Sequence, residues 1–314
     1  LYMVFLENLL ELAIREVNQD AKAQASFAMV AMGRLGGNEI VYASDADVMY
    51  VYRALKGISD DEAKEYALRI VSTLKKLVTS SVEPPLPGER TLEIDANLRP
   101  EGKDGAMVRS IASYQEYYEK WAEIWEYQAL LRCAPVAGDQ QLLKDFQTLI
   151  DQYRYPKSLS RKQIKEIKRI KARVEAERLP RDADRNKHTK LGRGSLSDIE
   201  WLAQLIQLRL ASGDSAFRTT ETAAVLDHAQ KIEVIPAADS QTLKKSWLLS
   251  SQVRSKLRLF TGKELDVLPE YGAELEGVAQ LCGWPKGSAL EFEDYYLKIT
   301  RRGRYYFEKW FYEM

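Results

Sequence analysis

Asp45 and Asp47 are the side chains in this sequence whose type and spacing point most directly to chemistry. They stand two apart where an apolar run, Val48–Tyr52, begins, and residues i and i+2 of a strand point to one face. Two neighbouring carboxylates repel each other unless a cation lies between them. Asp95, flanked by Glu93 and Asn97 on another strand-like stretch, could supply a third. Three carboxylates can hold two divalent cations about 3.5–4 Å apart, an arrangement that serves in-line phosphoryl or nucleotidyl transfer. Upstream, Gly36-Gly37 is expected to leave backbone N–H groups open to a triphosphate, and Ser44 directly precedes the acid pair. Each signal has a plain reading of its own: a solvated strand end for Asp-x-Asp, a turn for Gly-Gly. Their combination favours a nucleotidyltransferase centre. Only two histidines, His188 and His228, and two cysteines, Cys133 and Cys282, are present. Any resident metal is therefore expected on carboxylates, which selects a hard cation, Mg2+ or Mn2+.

The elements that must position these residues follow from periodicity. Leu6, Leu9, Leu10, Ala13, Ile14 and Val17 share a helical face. Phe27–Met32 and Val48–Tyr52 are apolar runs too short for helices and read as buried strands, joined through the loop Gly33–Gly37. Residues 60–78 read as a helix opened by a Ser59/Glu62 capping box. Glu83–Gly88, rich in proline, must be a loop. Thr91–Arg99 alternates as a third strand, with Leu92, Ile94 and Ala96 on one face. Beyond residue 110 helices dominate, near 113–133, 160–178, 197–211, 240–260 and 289–311, with starts expected at Ser113, Ser160, Ser197 and Ser288. The expected organisation is α+β: a small α/β domain at 1–150 and an all-α bundle at 155–314. Trp121, Trp125 and Tyr118 lie at helical spacing and are expected in a core, as are the two cysteines.

Composition narrows the function classes. The chain has 314 residues, enough for about two domains. Its 46 basic and 46 acidic side chains sum to zero, which argues against a nucleic-acid binder. No apolar run approaches the roughly 20 residues that span a bilayer. Sparse cysteine fits a reducing, cytoplasmic setting. A first residue of Leu1 with a helix at once reads as a fragment of a longer polypeptide. Charge is uneven: residues 161–193 hold 13 Lys or Arg against 5 Asp or Glu, and Arg301, Arg302 and Arg304 form a second cluster. Solvated helix faces are the ordinary account; a phosphate-bearing or acidic partner is the other.

Several segments, in order, resemble the bacterial glutamine synthetase adenylyltransferase family, also called glutamate–ammonia-ligase adenylyltransferase. Gly33-Arg34-Leu35-Gly36-Gly37 with Ser44-Asp45-Ala46-Asp47 is similar to its G-[KR]-[LF]-G-G…S-D-x-D signature. Asp95-Ala96-Asn97-Leu98-Arg99-Pro100-Glu101-Gly102 resembles D-x-R-L-R-P-x-G, and Trp125-Glu126-Tyr127-Gln128-Ala129-Leu130 resembles W-E-x-Q-A-L. Residues 190–201, Lys190 to Trp201, resemble K-x-G-x-G-G-I-x-D-I-E-F. Asn97 departs where the family has Arg, and Ser195 replaces a second Gly. Together these segments cover residues 27–210.

The resemblance implies a polymerase-β-like nucleotidyltransferase fold followed by a helical bundle. It implies Asp45, Asp47 and Asp95 as catalytic metal ligands, Gly36, Gly37, Ser44 and Arg99 at the nucleotide, and contacts from Lys190, Arg193, Asp198 and Glu200 in the second domain. ATP would be the substrate, glutamine synthetase the protein acceptor, and a PII signalling protein a regulator. Two modules of such enzymes share these motifs. Tyr42-Ala43-Ser44-Asp45 and the ending Asp294–Arg302 are similar to the C-terminal, adenylylating module of actinobacterial members. The alternatives are the phosphorolytic, AMP-removing module and a non-catalytic module that senses PII. Asp198 and Glu200 also read as first-turn carboxylates that complement a helix dipole.

Overall fold

The structure, a computed structural model, describes residues 1–20, 22–42, 44–79, 92–180 and 183–313. Two compact units divide the chain: Leu1–Ile40 with Ser44–Arg154, and Val41–Ala43 with Tyr155–Met314. The first contains α1 (Tyr2–Asp20), β1 (Ala25–Ala31), the single turn α2 (Gly33–Gly36), β2 (Ala46–Ala54), α3 (Asp60–Thr79), β3 (Ile94–Asp95), β4 (Val108–Ser110), α4 (Ile111–Lys120), α5 (Ile124–Leu130), β5 (Ala134–Gly138) and α6 (Gln140–Arg154). The second contains α7 (Arg161–Glu177), α8 (Leu196–Leu210), α9 (Thr222–Lys231), α10 (Ala237–Thr261), α11 (Ala273–Leu281) and α12 (Ala289–Glu313). The fold is mixed α+β, and no helix among the described residues is long and apolar enough to cross a membrane.

The five-stranded sheet is built outward from β1 and β2. They pair antiparallel from Ala25↔Ala54 to Ala31↔Val48, and β5 adds antiparallel to the other edge of β1. The free edge of β2 is shared: β3 pairs parallel with Ala46 and Asp47, and β4 pairs parallel with Tyr50–Tyr52. β1 and β2 read as continuous apolar runs because both faces of the sheet are covered. Phe27, Met29, Val48 and Tyr50 pack on Leu6, Leu10 and Ala13 of α1 and on Ala67, Ile70 and Leu74 of α3. Ala28, Val30, Met49 and Val51 pack oppositely, on Tyr114 and Tyr118 of α4 and Leu142, Phe146 and Ile150 of α6. Each of these large apolar side chains contributes about 1.5–3 kcal/mol on full burial.

Several boundaries differ from expectation. The third strand is only Ile94–Asp95, because the chain turns at Asn97–Pro100; Thr91 and the proline-rich Glu83–Gly88 lie outside the described residues. The 113–133 segment is two helices: Ser110 Oγ, not Ser113, accepts from Ser113 N at 3.3 Å to start α4. Glu123 and Glu126 form a capping box that starts α5. That break puts Trp121 and Trp125 at 72% and 46% exposure, outside the core that Tyr118 joins. Likewise Ser195, not Ser197, is the N-cap of α8. The capping boxes at Ser59/Glu62 and Ser160/Gln163 are formed as expected. β5 was not anticipated: Ala134-Pro135-Val136-Ala137-Gly138 holds a proline and a glycine, and the proline is tolerated there because β5 is an edge strand.

In the second unit, Val253 and Leu257 of α10, Leu275 and Val278 of α11 and Phe292 and Tyr296 of α12 form one core with Leu268.

Candidate active site

The turn between β1 and β2 and the short β2–β3 pairing place the carboxylates. Alternation along β2 puts Asp45 and Asp47 on the side that continues into Met49 and Val51, at the end where helix cover gives out. Asp45 is exposed and Asp47 half-buried. Asp95 is the register partner of Asp47 on β3, so the three share a face. Ala46 N donates to Glu93 O at 2.8 Å, which extends the pairing by one residue. It also brings a Glu93 carboxylate oxygen within 4.8 Å of one from Asp45. Asp95 is steadied by Asn97 N, which donates to its Oδ1 at 2.7 Å. This contact uses the backbone, so the replacement of Arg by Asn97 leaves it available. The Ser44 hydroxyl is buried and has no hydrogen-bond partner among the described residues.

The glycine loop does something other than expected. The amides of Gly36 and Gly37 are not uncovered: they donate to Met32 O at 2.8 Å and Gly33 O at 3.1 Å. Their missing side chains matter instead. A Cβ on Gly36 would lie 1.8 Å from Arg132 O, and one on Gly37 would lie 2.2 Å from an Arg132 guanidinium nitrogen. Gly33 has φ of +52°, and a Cβ there would meet Asp47 Oδ2 at 2.4 Å.

Arg99 is also placed otherwise. It is 8% exposed, and its guanidinium donates to Gly105 O at 2.9 Å, Ala96 O at 2.8 Å and Lys103 O at 2.9 Å. It closes the loop after β3 and is not turned out toward a nucleotide.

In the second unit, Lys190 and Arg193 are exposed on the loop before α8. The loop is tightly bonded: Gly192 N donates to His188 O, Ser197 N to Lys190 O and Leu196 N to Thr189 O. Ser195 has φ of −89°, which needs no glycine, and its Oγ donates to Gly192 O at 2.7 Å. Asp198 is fully buried, and accepts from Lys171 Nζ at 2.5 Å, Gly194 N at 2.7 Å and Arg304 at 3.0 Å. Lys171 is itself fully buried and also reaches Glu175 at 2.7 Å. Burial works against the charge of Glu175, yet Arg304 and Lys171 hold its carboxyl below the usual range. Asp198 is thus consumed by packing, as its first-turn reading anticipated in part. Glu200 accepts from Trp247 Nε1 at 3.3 Å. Cys133 is buried, its thiol pushed up to about 12 by desolvation, and Cys282, less buried, to about 11.

Sequence reasoning missed Arg132, Lys171 and Arg304 as organising cations. Arg132 had a signal: it is the one charge within the apolar stretch 129–137. Lys171 had another, since it falls on the Ile164, Ile167, Val174 stripe of α7.

The profile of the glutamate-ammonia ligase adenylyltransferase family matches residues 3–149. The profile of GlnD PII-uridylyltransferase matches residues 168–311. A bifunctional glutamine synthetase adenylyltransferase/adenylyl-removing enzyme of Leifsonia xyli subsp. xyli is 46% identical over 96% of this chain and 29% of its own length. The enzyme of the same name from Mycobacterium leprae is 45% identical over 99% of this chain and 31% of its own length. Over nearly its whole length this chain is similar to glutamine synthetase adenylyltransferase/adenylyl-removing enzymes. It spans about three tenths of the length of those relatives, the extent of one module.

Proposed function

We propose that this chain is the adenylylating module of such an enzyme, transferring AMP from ATP to a tyrosine of glutamine synthetase with release of pyrophosphate. The observation that carries the reading is the common face of Asp45, Asp47 and Asp95 across β2 and β3, in a chain with this similarity. A polymerase-β-like nucleotidyltransferase fold is part of the proposal, and so is a cytoplasmic location.

The donor set fits a hard divalent cation. It is all oxygen, it stands at an exposed sheet end, and beside it the buried Ser44 hydroxyl awaits a polar partner. Mg2+ or Mn2+ held there supplies neutralisation of phosphate charge and eases ionisation of the acceptor phenol. Asp45 and Asp47 would hold two ions and Asp95 the one on the acceptor side. Asp95 would also take the phenolic proton, which at a pKa of about 10 needs a base at neutral pH. The phenolate oxygen then bonds to the α-phosphorus as the bond to pyrophosphate breaks. Ser44 is the group for the β- or γ-phosphate; the amides of Gly36 and Gly37, already donated, are not. Lys190 and Arg193 remain candidates for acidic surfaces of the acceptor or ATP.

Tyr42-Ala43-Ser44-Asp45 and the ending Asp294–Arg302 support the adenylylating direction over the phosphorolytic one, although Ala43 lies outside the described residues. A PII protein as regulator is supported by the match of residues 168–311 to a family named for PII. Incubating the chain with glutamine synthetase and labelled ATP tests the reading: label on a tyrosine supports it. Release of ADP from modified glutamine synthetase by orthophosphate, without forward transfer, replaces it with the removing module. No binding of Mg2+·ATP points instead to a non-catalytic, PII-sensing module.

A further inference from the structure

The side chain that Gly37 accommodates belongs to Arg132, which no motif in the sequence places near the carboxylates. Arg132 is 6% exposed and follows α5, entering the sheet unit just ahead of β5. Its Nε donates to Gly33 O at 2.9 Å, and its guanidinium is ion-paired to Glu39, whose side chain is equally buried. Gly33 is the residue whose α-carbon abuts Asp47, so tightly that no Cβ fits between them. One guanidinium thus ties both ends of the turn, Gly33 and Glu39, and lies against Gly37 between them.

We propose that Arg132 is a positioning residue: seated on Gly37 and paired to Glu39, it holds the β1–β2 turn against Asp47 and so sets that carboxylate for its cation. The inference rests on the nucleotidyltransferase reading for the part played by Asp47. It assigns Gly37 to the guanidinium rather than to a phosphate. Gly36 differs: its forbidden neighbour is the Arg132 backbone oxygen, which no substitution of the Arg132 side chain removes.

The glycines and the arginine can be separated by two measurements on the whole chain. In urea unfolding, Gly37→Ala should lower the midpoint in wild type and leave it nearly unmoved in the Arg132→Ala background, because the colliding atom is gone. Gly36→Ala should lower it in both. In Mn2+·ATP titration, Arg132→Ala should weaken binding about tenfold, and Arg132→Lys, which keeps the charge but cannot serve Gly33 and Glu39 with one planar fork, should fall between. Glu39→Gln, a gentler change, gives a second handle should Arg132→Ala not fold, and should weaken binding severalfold. Equal Mn2+·ATP affinity in wild type, Arg132→Lys and Glu39→Gln overturns the positioning role. Equal Gly37→Ala effects in both backgrounds overturn the seating. A wild type that binds no Mn2+·ATP, while the unfolding cycle still couples Gly37 to Arg132, sinks the nucleotidyltransferase reading and with it the positioning role, leaving Arg132 as architecture of the turn.

Discussion

Two Gly-rich turns with nearby aspartates occur in this chain, and they use the same residue types in opposite ways. At Gly33–Gly37, buried charge is in the scaffold, where Arg132 meets Glu39, and Asp45 is left exposed with Asp47 half-buried. At Gly192–Asp198, the aspartate itself is the buried charge: Asp198 is spent on Lys171, Gly194 and Arg304. A carboxylate with three protein donors in a dry site has little left for a ligand, whereas Asp45 at least is open to solvent. Motif similarity draws attention to both turns; burial of the acid is what distinguishes them.

The largest effect should come from attacking the first turn's acids. Asp45→Asn and Asp47→Asn are expected to lower AMP transfer about a thousandfold or more. Folding stability should change by no more than about 1 kcal/mol, read by labelled-ATP assay and thermal melting. If Asp198→Asn matched that loss while melting normally, the comparison would break. Next, Asp198→Ala takes one of two carboxylates from the buried Lys171 ammonium and the acceptor from Gly194 N and Arg304, and should destabilise the chain by about 3–5 kcal/mol, measured by urea unfolding.

The acid response should follow the same division. Glu175 lies below its ordinary value near 4.5 in the folded chain, where burial opposes and Arg304 and Lys171 outweigh it. Its contribution is present above that value and is lost as pH falls through the depressed folded one. The gap in melting temperature between wild type and Glu175→Gln should therefore close between about pH 6 and pH 3. Glu126 of α5 should behave oppositely. Burial raises its carboxyl, so its contribution is full below about 4.5 and is lost as pH rises through the folded value. The smallest effect is Ser195→Gly, which removes one hydrogen bond to Gly192 O and should cost about 1 kcal/mol in the same melt.

Much of this was legible from pattern. β1 and β2 are continuous apolar runs, α3 carries a clear helical periodicity, and Asp45 and Asp47 announce themselves by standing where an apolar run starts. What escaped did so for physical reasons. β4 has three residues and β5 a proline and a glycine, too little for an alternation to register. The loop-closing contacts of Arg99 were not legible because its partners are backbone carbonyls, which any sequence possesses. Gly36 and Gly37 looked like a cradle because a glycine advertises room without saying for what; only the position of Arg132, 95 residues after Gly37, answers that.

β2 works as a parity check on the candidate site. Odd positions Asp45, Asp47, Met49 and Val51 and even positions Ala46, Val48, Tyr50 and Tyr52 go to opposite sides of one ribbon. A slip of a single residue against β1 would send the carboxylates under α1 and α3 and expel Val48 and Tyr50 from them. A misaligned register therefore costs the core its burial. Molecules that pass the test of burying their core have, by the same act, oriented their acids.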